Sequence, residues 1–364
     1  MKKNIAIIFF LCCVILKSQA FQNMPTYKNT TLDVVADVAD IALGESFVAN
    51  SKSQFAFFEN PAALPNDNMT RLFYNFRSFD AYKAIENKRY FSIGAVSSSS
   101  IGNFGISYND FSSGKQQNSP DDPNQTTTDV NRTFILSYSR DIIENIFIGA
   151  SAKLFNSSLK STGMDYEMNS NNALLFDFGL LYQTKGFLKE DDLNDLFRAG
   201  VSLQNFGTDF KEEYKYLFNE TVKQKLPRYL RIGFAYELNM VLGQKTRANV
   251  GILLTGEYKN LLNPTPSEKS NVDYWGGGIE ATLFKIISLR LGGISSPEDN
   301  ILFDRAKINL RYGIGMNFPL AIGLGYPMVF RFDYANIPIN QTMLEGAKNS
   351  LYGFGVSLSY GRTP

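Results

Sequence analysis

The side chains with which this sequence could do chemistry are a set of charges embedded in apolar segments: Arg198, Arg231, Arg247, Arg290 and Arg311, with Glu237, Glu257 and Glu280. Most have an apolar residue on either side, so in an extended chain the charges point to one face and the apolar groups to the other. Inward charges of one sign would make a selective ion path. Mixed signs on neighbouring segments favour the other reading, in which the charges neutralise one another and fill a closed interior.

Other chemistry has little to work with. Histidine is absent, and both cysteines, Cys12 and Cys13, stand near the N-terminus. Without these side chains, zinc sites, Cys-His pairs and Ser-His-Asp triads cannot be assembled. A glycosidase needs only carboxylates, but no acidic pair is marked out from the general scatter. The expectation is a protein that is not an enzyme, with no catalytic or metal residues and no cofactor. Lysine and arginine number 36 against 35 acids, which leaves no basic footprint for nucleic acid.

The elements that must position these charges have a period of two. Apolar residues alternate through Leu72–Phe76, Tyr90–Val96, Phe104–Tyr108, Phe134–Tyr138, Ile146–Leu154, Leu174–Tyr182 and Ala199–Leu203. The pattern continues through Leu230–Leu238, Ala248–Leu254, Trp275–Leu283, Ile287–Leu291, Ile308–Met316, Met328–Tyr334 and Tyr352–Tyr360. These are about fourteen strands, an even number as bacterial outer-membrane barrels require. Lys153, Asp177, Arg331 and Asp333 join the eight charges above on the opposite parity. A charge at the bilayer midplane costs about 2–4 kcal/mol, so a lipid-facing side must be nearly free of them.

A soluble β-sandwich predicts the same alternation, but with Val and Ile favoured at the apolar positions. Here 30 Phe and 19 Tyr dominate, and Tyr74, Tyr108, Tyr138, Tyr182 and Tyr360 stand near strand ends, as interfacial girdles do. The reading is therefore an all-β, antiparallel transmembrane barrel in contact with outer-membrane lipid. Connections alternate long and short, and the long ones are taken as external. Only 185–196, "KGFLKEDDLNDL", is long for an inner turn, and its Leu spacing is compatible with a turn or two of helix.

Residues 1–20 read as a signal peptide: Lys2 and Lys3, an apolar run from Ile5 to Leu16, then Ser18-Gln19-Ala20. The mature chain then lacks cysteine and draws its stability from ladders and packing. Residues 21–70 precede the barrel at 71–364. Within them, "DVADVADIALGESFVAN" places Val35, Val38, Ala39 and Ala42 at helical spacing before a turn at Gly44, and "FAFFENPAAL" follows. Glycine and serine share the inward parity, as at Gly105, Gly233, Gly353 and Ser357, which leaves interior room for such a segment as a hatch or for a ligand.

"LGESFVAN" followed by "FFENPAAL" resembles the N-terminal signature of the FadL-like outer-membrane barrels, in particular their PorV/PorQ branch. The likeness runs on through "RAGVSLQNFG", "LPRYLRIGFAYEL" and "FRFDYANIPI". It implies a hatch motif at Gly44, Phe47, Asn60, Pro61 and Ala62, and a bacterial outer-membrane location. It further implies an accessory role in type IX protein secretion, binding secretion-system proteins or secreted cargo through the outer loops. The alternative is FadL-like uptake of a hydrophobic small molecule, for which exposed Phe210, Tyr214, Tyr216, Leu217 and Phe218 would offer apolar contact. The glycines usual in this stretch are replaced by Ile41, Ala42, Glu45 and Ser46.

Overall fold

The computed structural model describes residues 32, 34–35, 37–67, 69–78, 89–119, 122–162, 166–188, 193–214, 220–242, 248–263, 274–295, 308–319, 328–338 and 350–361. A short helix, α1 (Val38–Ala42), and two single-turn 3-10 helices, Ala56–Phe58 and Pro61–Ala63, precede the first strand. The strands are β1 (Met69–Ser78), β2 (Arg89–Ser99), β3 (Gly102–Ser112), β4 (Gln116–Ser119), β5 (Asp122–Ile143), β6 (Ile146–Ser161), β7 (Tyr166–Ser170), β8 (Ala173–Lys185) and β9 (Leu193–Gly207). They continue as β10 (Phe210–Tyr214), β11 (Glu220–Gln224), β12 (Tyr229–Leu242), β13 (Ala248–Leu261), β14 (Tyr274–Leu283), β15 (Ile287–Ser295), β16 (Asn309–Pro319), β17 (Met328–Pro338) and β18 (Ser350–Gly361).

Every described pairing is antiparallel, and β1 pairs with both β2 and β18, so the sheet closes with no free edge along the barrel. The result is a 14-strand barrel, as the alternation predicted. β4, β7, β10 and β11 are not wall strands. They prolong the wall beyond the barrel on one side, where β7 pairs with β6 and β10, and β10 with β11.

The two parities separate as a lipid wall demands. Leu136 (53%), Leu289 (50%) and Leu72 (55%) are exposed outward, while Lys153, Asp177, Arg231, Glu257, Arg290 and Asp333 are buried in the lumen. Tyr138, Tyr182 and Tyr360 are exposed toward the ends of their strands, whereas Tyr74 and the half-buried Tyr108 stand near the middle of β1 and β3. On this chain the apolar belt therefore faces lipid and the core faces the lumen, the reverse of a soluble barrel. Arg247 lies outside the described residues.

Two local expectations change. Tyr90 and Val96 face inward, with Ile93 the outward residue between them, because the hatch supplies Phe55, Phe57 and Phe58 as an apolar partner inside the lumen. In 185–196, β8 runs to Lys185 and β9 begins at Leu193, so extended chain replaces the helical turn at both ends. Asp195 accepts the Phe187 and Leu188 N–H groups there at 3.1 and 3.2 Å, satisfying a turn that has no ladder partner. Residues 189–192 lie outside the described ones.

Candidate functional site: the hatch and its seat

The N-terminal segment enters the lumen and is buried almost throughout from Val35 to Leu64. Asp37 caps α1 by accepting the Ala39 N–H at 3.0 Å, and the helix rests on β15, β16, β17, β18 and β1. Gly44, at φ +70°, then turns the chain, a conformation that suits glycine. The segment ends on the opposite wall, where Pro61–Ala63 packs on β5, β6 and β8.

The wall makes room for it with glycine. A side chain at Gly179 would overlap Asn60, one at Gly149 the Pro61–Ala62 peptide, and one at Gly200 the Val48 carbonyl. At Gly278 a Cβ would lie 2.7 Å from the Leu43 Cα. The inward glycines are thus the groove in which the hatch lies.

Polar bonds fasten it there. Asn60, fully buried, donates through Nδ2 to the carbonyls of Val48 at 2.7 Å and Leu180 at 3.1 Å. Its Oδ1 accepts the Ala62 N–H at 3.0 Å. One side chain therefore joins two parts of the hatch and the wall strand β8, while Pro61 at the first helical position supplies the fixed φ that begins the turn. Ala62 packs in the central cluster with Leu43, Val48, Phe147 and Leu181, and Phe47 packs with Val35, Val38, Ile41 and Ala335. All five residues of the hatch motif thus lie in the lumen, in structural roles.

The charges complete the seat. Arg231 pairs with Glu59 of the hatch and, at 2.6 Å, with Glu257 of β13. It also donates to Gln204 Oε1 at 3.0 Å and the Tyr274 hydroxyl at 3.1 Å. The other Glu257 oxygen accepts the Phe47 and Val48 N–H groups, each at 2.9 Å. Gln204 Nε2 donates to the Phe58 and Glu59 carbonyls at 2.9 Å. Arg311 pairs with Glu45, and Lys52 reaches Glu237, which also holds Arg198 at 3.0 Å. Ser46 and Thr255 share a hydrogen bond of 2.6 Å.

Burial pushes the Glu59 carboxyl up to about 7, against the attraction of Arg231. For Glu45, burial is outweighed by Arg311 and then Arg77, which hold its carboxyl below the usual range. Mixed inward charges therefore pair, and several pairs join hatch to wall. Neutralisation is their arrangement, as the alternating signs suggested.

On the side of the hatch toward β7 and β10 the lining is more apolar. Phe155, Ala173, Leu175, Phe210 and Leu226 form a cluster with Leu32 against it. A nearby cavity of about 20 Å³, room for one water, is lined by Leu32, Phe58, Glu59, Tyr90, Asn131 and Lys153 among others. Phe210 is 1% exposed and packs 5.5 Å from Phe155, ring centre to ring centre, so it is not an outer contact residue. Its position at the start of β10 turns it into the rim cluster, where burial of an aromatic ring is favourable. Tyr214 belongs to β10, its side chain outside the described set, and Tyr216, Leu217 and Phe218 lie outside the described residues.

Sequence reasoning did not single out Asp37, Glu45, Ser53, Glu59 or Gln204. The available signal was a charge within an otherwise apolar run, as Glu59 is in "FAFFENPAAL", in a chain whose inward parity carries more bases than acids.

No protein-family model matches the sequence, and no curated protein matches it. Solved structures do resemble the fold. The toluene transporter TbuX of Ralstonia pickettii superposes with a TM-score of 0.52 at 13% identity, over 91% of this chain and 99% of that one. The toluene transporter TodX of Pseudomonas putida gives 0.51 at 11% identity, over 91% and 99%. At such identities the likeness is one of architecture. Together with the exposed apolar belt, it shows that this chain has the closed antiparallel barrel fold of these two proteins.

Proposed function

We propose that the protein is a non-enzymatic barrel that admits a hydrophobic small molecule across the outer membrane, with the N-terminal hatch as its moving part. The observation that carries this reading is the construction of the hatch. It fills the lumen without joining the ladder, and it is held by side chains such as Asn60, Arg231 and Glu257. It can therefore shift while the wall stays closed. The apolar cluster on its side toward β7 and β10 offers a first resting place for an apolar solute. The two fold neighbours, both toluene transporters, support a monoaromatic hydrocarbon as the probe to try first. Cells bearing and lacking the gene are compared for uptake of labelled toluene and of a long-chain fatty acid. Equal uptake of both solutes in the two strains refutes this reading.

A second reading, a PorV/PorQ-like accessory of type IX secretion that binds the translocon or cargo, is favoured by a different feature. β4, β7, β10 and β11 raise one side of the wall beyond the barrel, a polar platform a transported solute does not need. Its test is the secreted proteome of a deletion strain. Unchanged surface delivery of cargo refutes it.

A further inference from the structure

Asp37 and Asp40 are each 1% exposed, and both approach the hydroxyl of Ser53, at 2.9 Å and 2.5 Å. A hydroxyl has one proton to donate, so it cannot satisfy two carboxylates. The surrounding bonds settle the arrangement. Asp37 Oδ1 already accepts the Ala39 N–H, which favours its ionised form, and Ser53 Oγ accepts the Phe55 N–H at 3.2 Å. The consistent assignment has Asp40 protonated and donating to Ser53, which donates in turn to ionised Asp37.

Arg331 attracts both carboxylates without outweighing their burial, and the cations around the pair are bound to other acids. Against α1, β17 presents Arg331 and Asp333, β15 presents Arg290, β16 presents Arg311, and β1 presents Arg77, while the described side chains of β18 on that face carry no charge. Arg290 is bound to Asp333 at 2.7 Å and to Glu280 of β14 at 2.5 Å, and Arg331 to Asp333 at 2.6 Å. Arg311 is bound to Glu45 of the hatch itself, and Lys52 to Glu237. Among the described residues no ion pair reaches Asp37 or Asp40.

We propose that Asp40, Ser53 and Asp37 are a proton-operated latch: one proton held between two buried carboxylates seats α1, and its loss drives them apart and frees the N-terminal end of the hatch. The inference rests on the hatch being the moving part. Burial, and then the neighbouring Asp37, push the Asp40 carboxyl well above the usual range, and burial pushes Asp37 up as well. A carboxyl raised in the seated state favours seating when protonated. That contribution is complete below the free-carboxyl pKa and is lost as pH rises through the seated value.

The test is hydrogen–deuterium exchange of the purified barrel in detergent from pH about 5.5 to about 9, with each rate divided by the intrinsic rate at the same pH and no solute present. One titrating proton gives a fall in protection of about tenfold per pH unit above the seated pKa. We expect that slope in the α1 amides of the wild type. In Asp40→Asn, whose amide can donate to Ser53 at every pH, protection should stay flat. In Ser53→Ala, where the relay is cut, α1 should already be exposed at low pH. Glu59→Gln should retain the α1 slope. A flat wild-type profile, a slope that survives Asp40→Asn, or one that vanishes in Glu59→Gln overturns the proposal. Because exchange is read without solute, failure of the uptake reading leaves the result interpretable. Heat-modifiable gel mobility reports separately that each variant keeps its barrel.

Discussion

Replacing Asn60 with alanine removes three hydrogen bonds and almost no apolar contact. The Ala62 N–H loses its cap at the start of the Pro61–Ala63 turn, worth about 1 kcal/mol. The Val48 carbonyl loses a 2.7 Å partner in a dry interior, at a cost of about 1–3 kcal/mol. The 3.1 Å bond to Leu180 is the least costly of the three, since that carbonyl belongs to a wall strand paired on both sides. The sum is about 3 kcal/mol, a shift of roughly 150-fold in the ratio of released to seated hatch. None of it falls on the barrel ladder. The assay is maleimide labelling of Ser46→Cys, a buried hatch position in a chain whose native cysteines are Cys12 and Cys13. Labelling should accelerate by about two orders of magnitude in Asn60→Ala, while heat-modifiable mobility is unchanged. Equal labelling rates with and without Asn60 refute the idea that this side chain fastens the hatch.

Three further outcomes follow from the same geometry. Arg231→Met leaves Glu59 and Glu257 buried without their cation, at a cost of about 3–5 kcal/mol, and hatch exchange should rise with it. If exchange in that variant matches the wild type, Arg231 does not hold the seat. Glu59, raised to about 7, favours the seated hatch when protonated, so exchange of the 55–63 amides should increase as pH rises through about 7 and lose this dependence in Glu59→Gln. On the outer face, Leu136→Arg puts a charge in the lipid belt and should destabilise the barrel by about 2–4 kcal/mol in urea titrations from lipid. An unchanged midpoint there denies that this face meets lipid.

The wall was legible in the sequence because a strand's two faces are written in alternate residues, and lipid on one side forbids charge. Arg231, Arg290 and Asp333 fell on the inward parity by that rule alone. The hatch was legible as a segment, from "LGESFVAN" and "FFENPAAL", but its contacts were not. Glu59 meets Arg231 across more than 170 positions of sequence, and nothing local in either strand or turn names the partner. The inward Tyr90 and Val96 misled for a related reason: alternation assigns an apolar residue to lipid unless something apolar fills the lumen, and Phe55 and Phe57 do. Phe210 was misread because a loop-like stretch proved to be a strand at the rim. The Asp37–Ser53–Asp40 cluster depends on a chain reversal between α1 and Ser53 that only the fold supplies.

The central claim, that a moving hatch admits an apolar solute, is tested most directly by tying the hatch to the wall. Ser46 and Thr255 place their hydroxyl oxygens 2.6 Å apart across that boundary, so Ser46→Cys/Thr255→Cys brings two thiols within bonding reach. Uptake of labelled toluene is then measured in cells carrying this variant, oxidised and after reduction. The account predicts uptake at the level of the deletion strain when oxidised and recovery on reduction. Equal uptake in the two states, above the deletion strain, contradicts it.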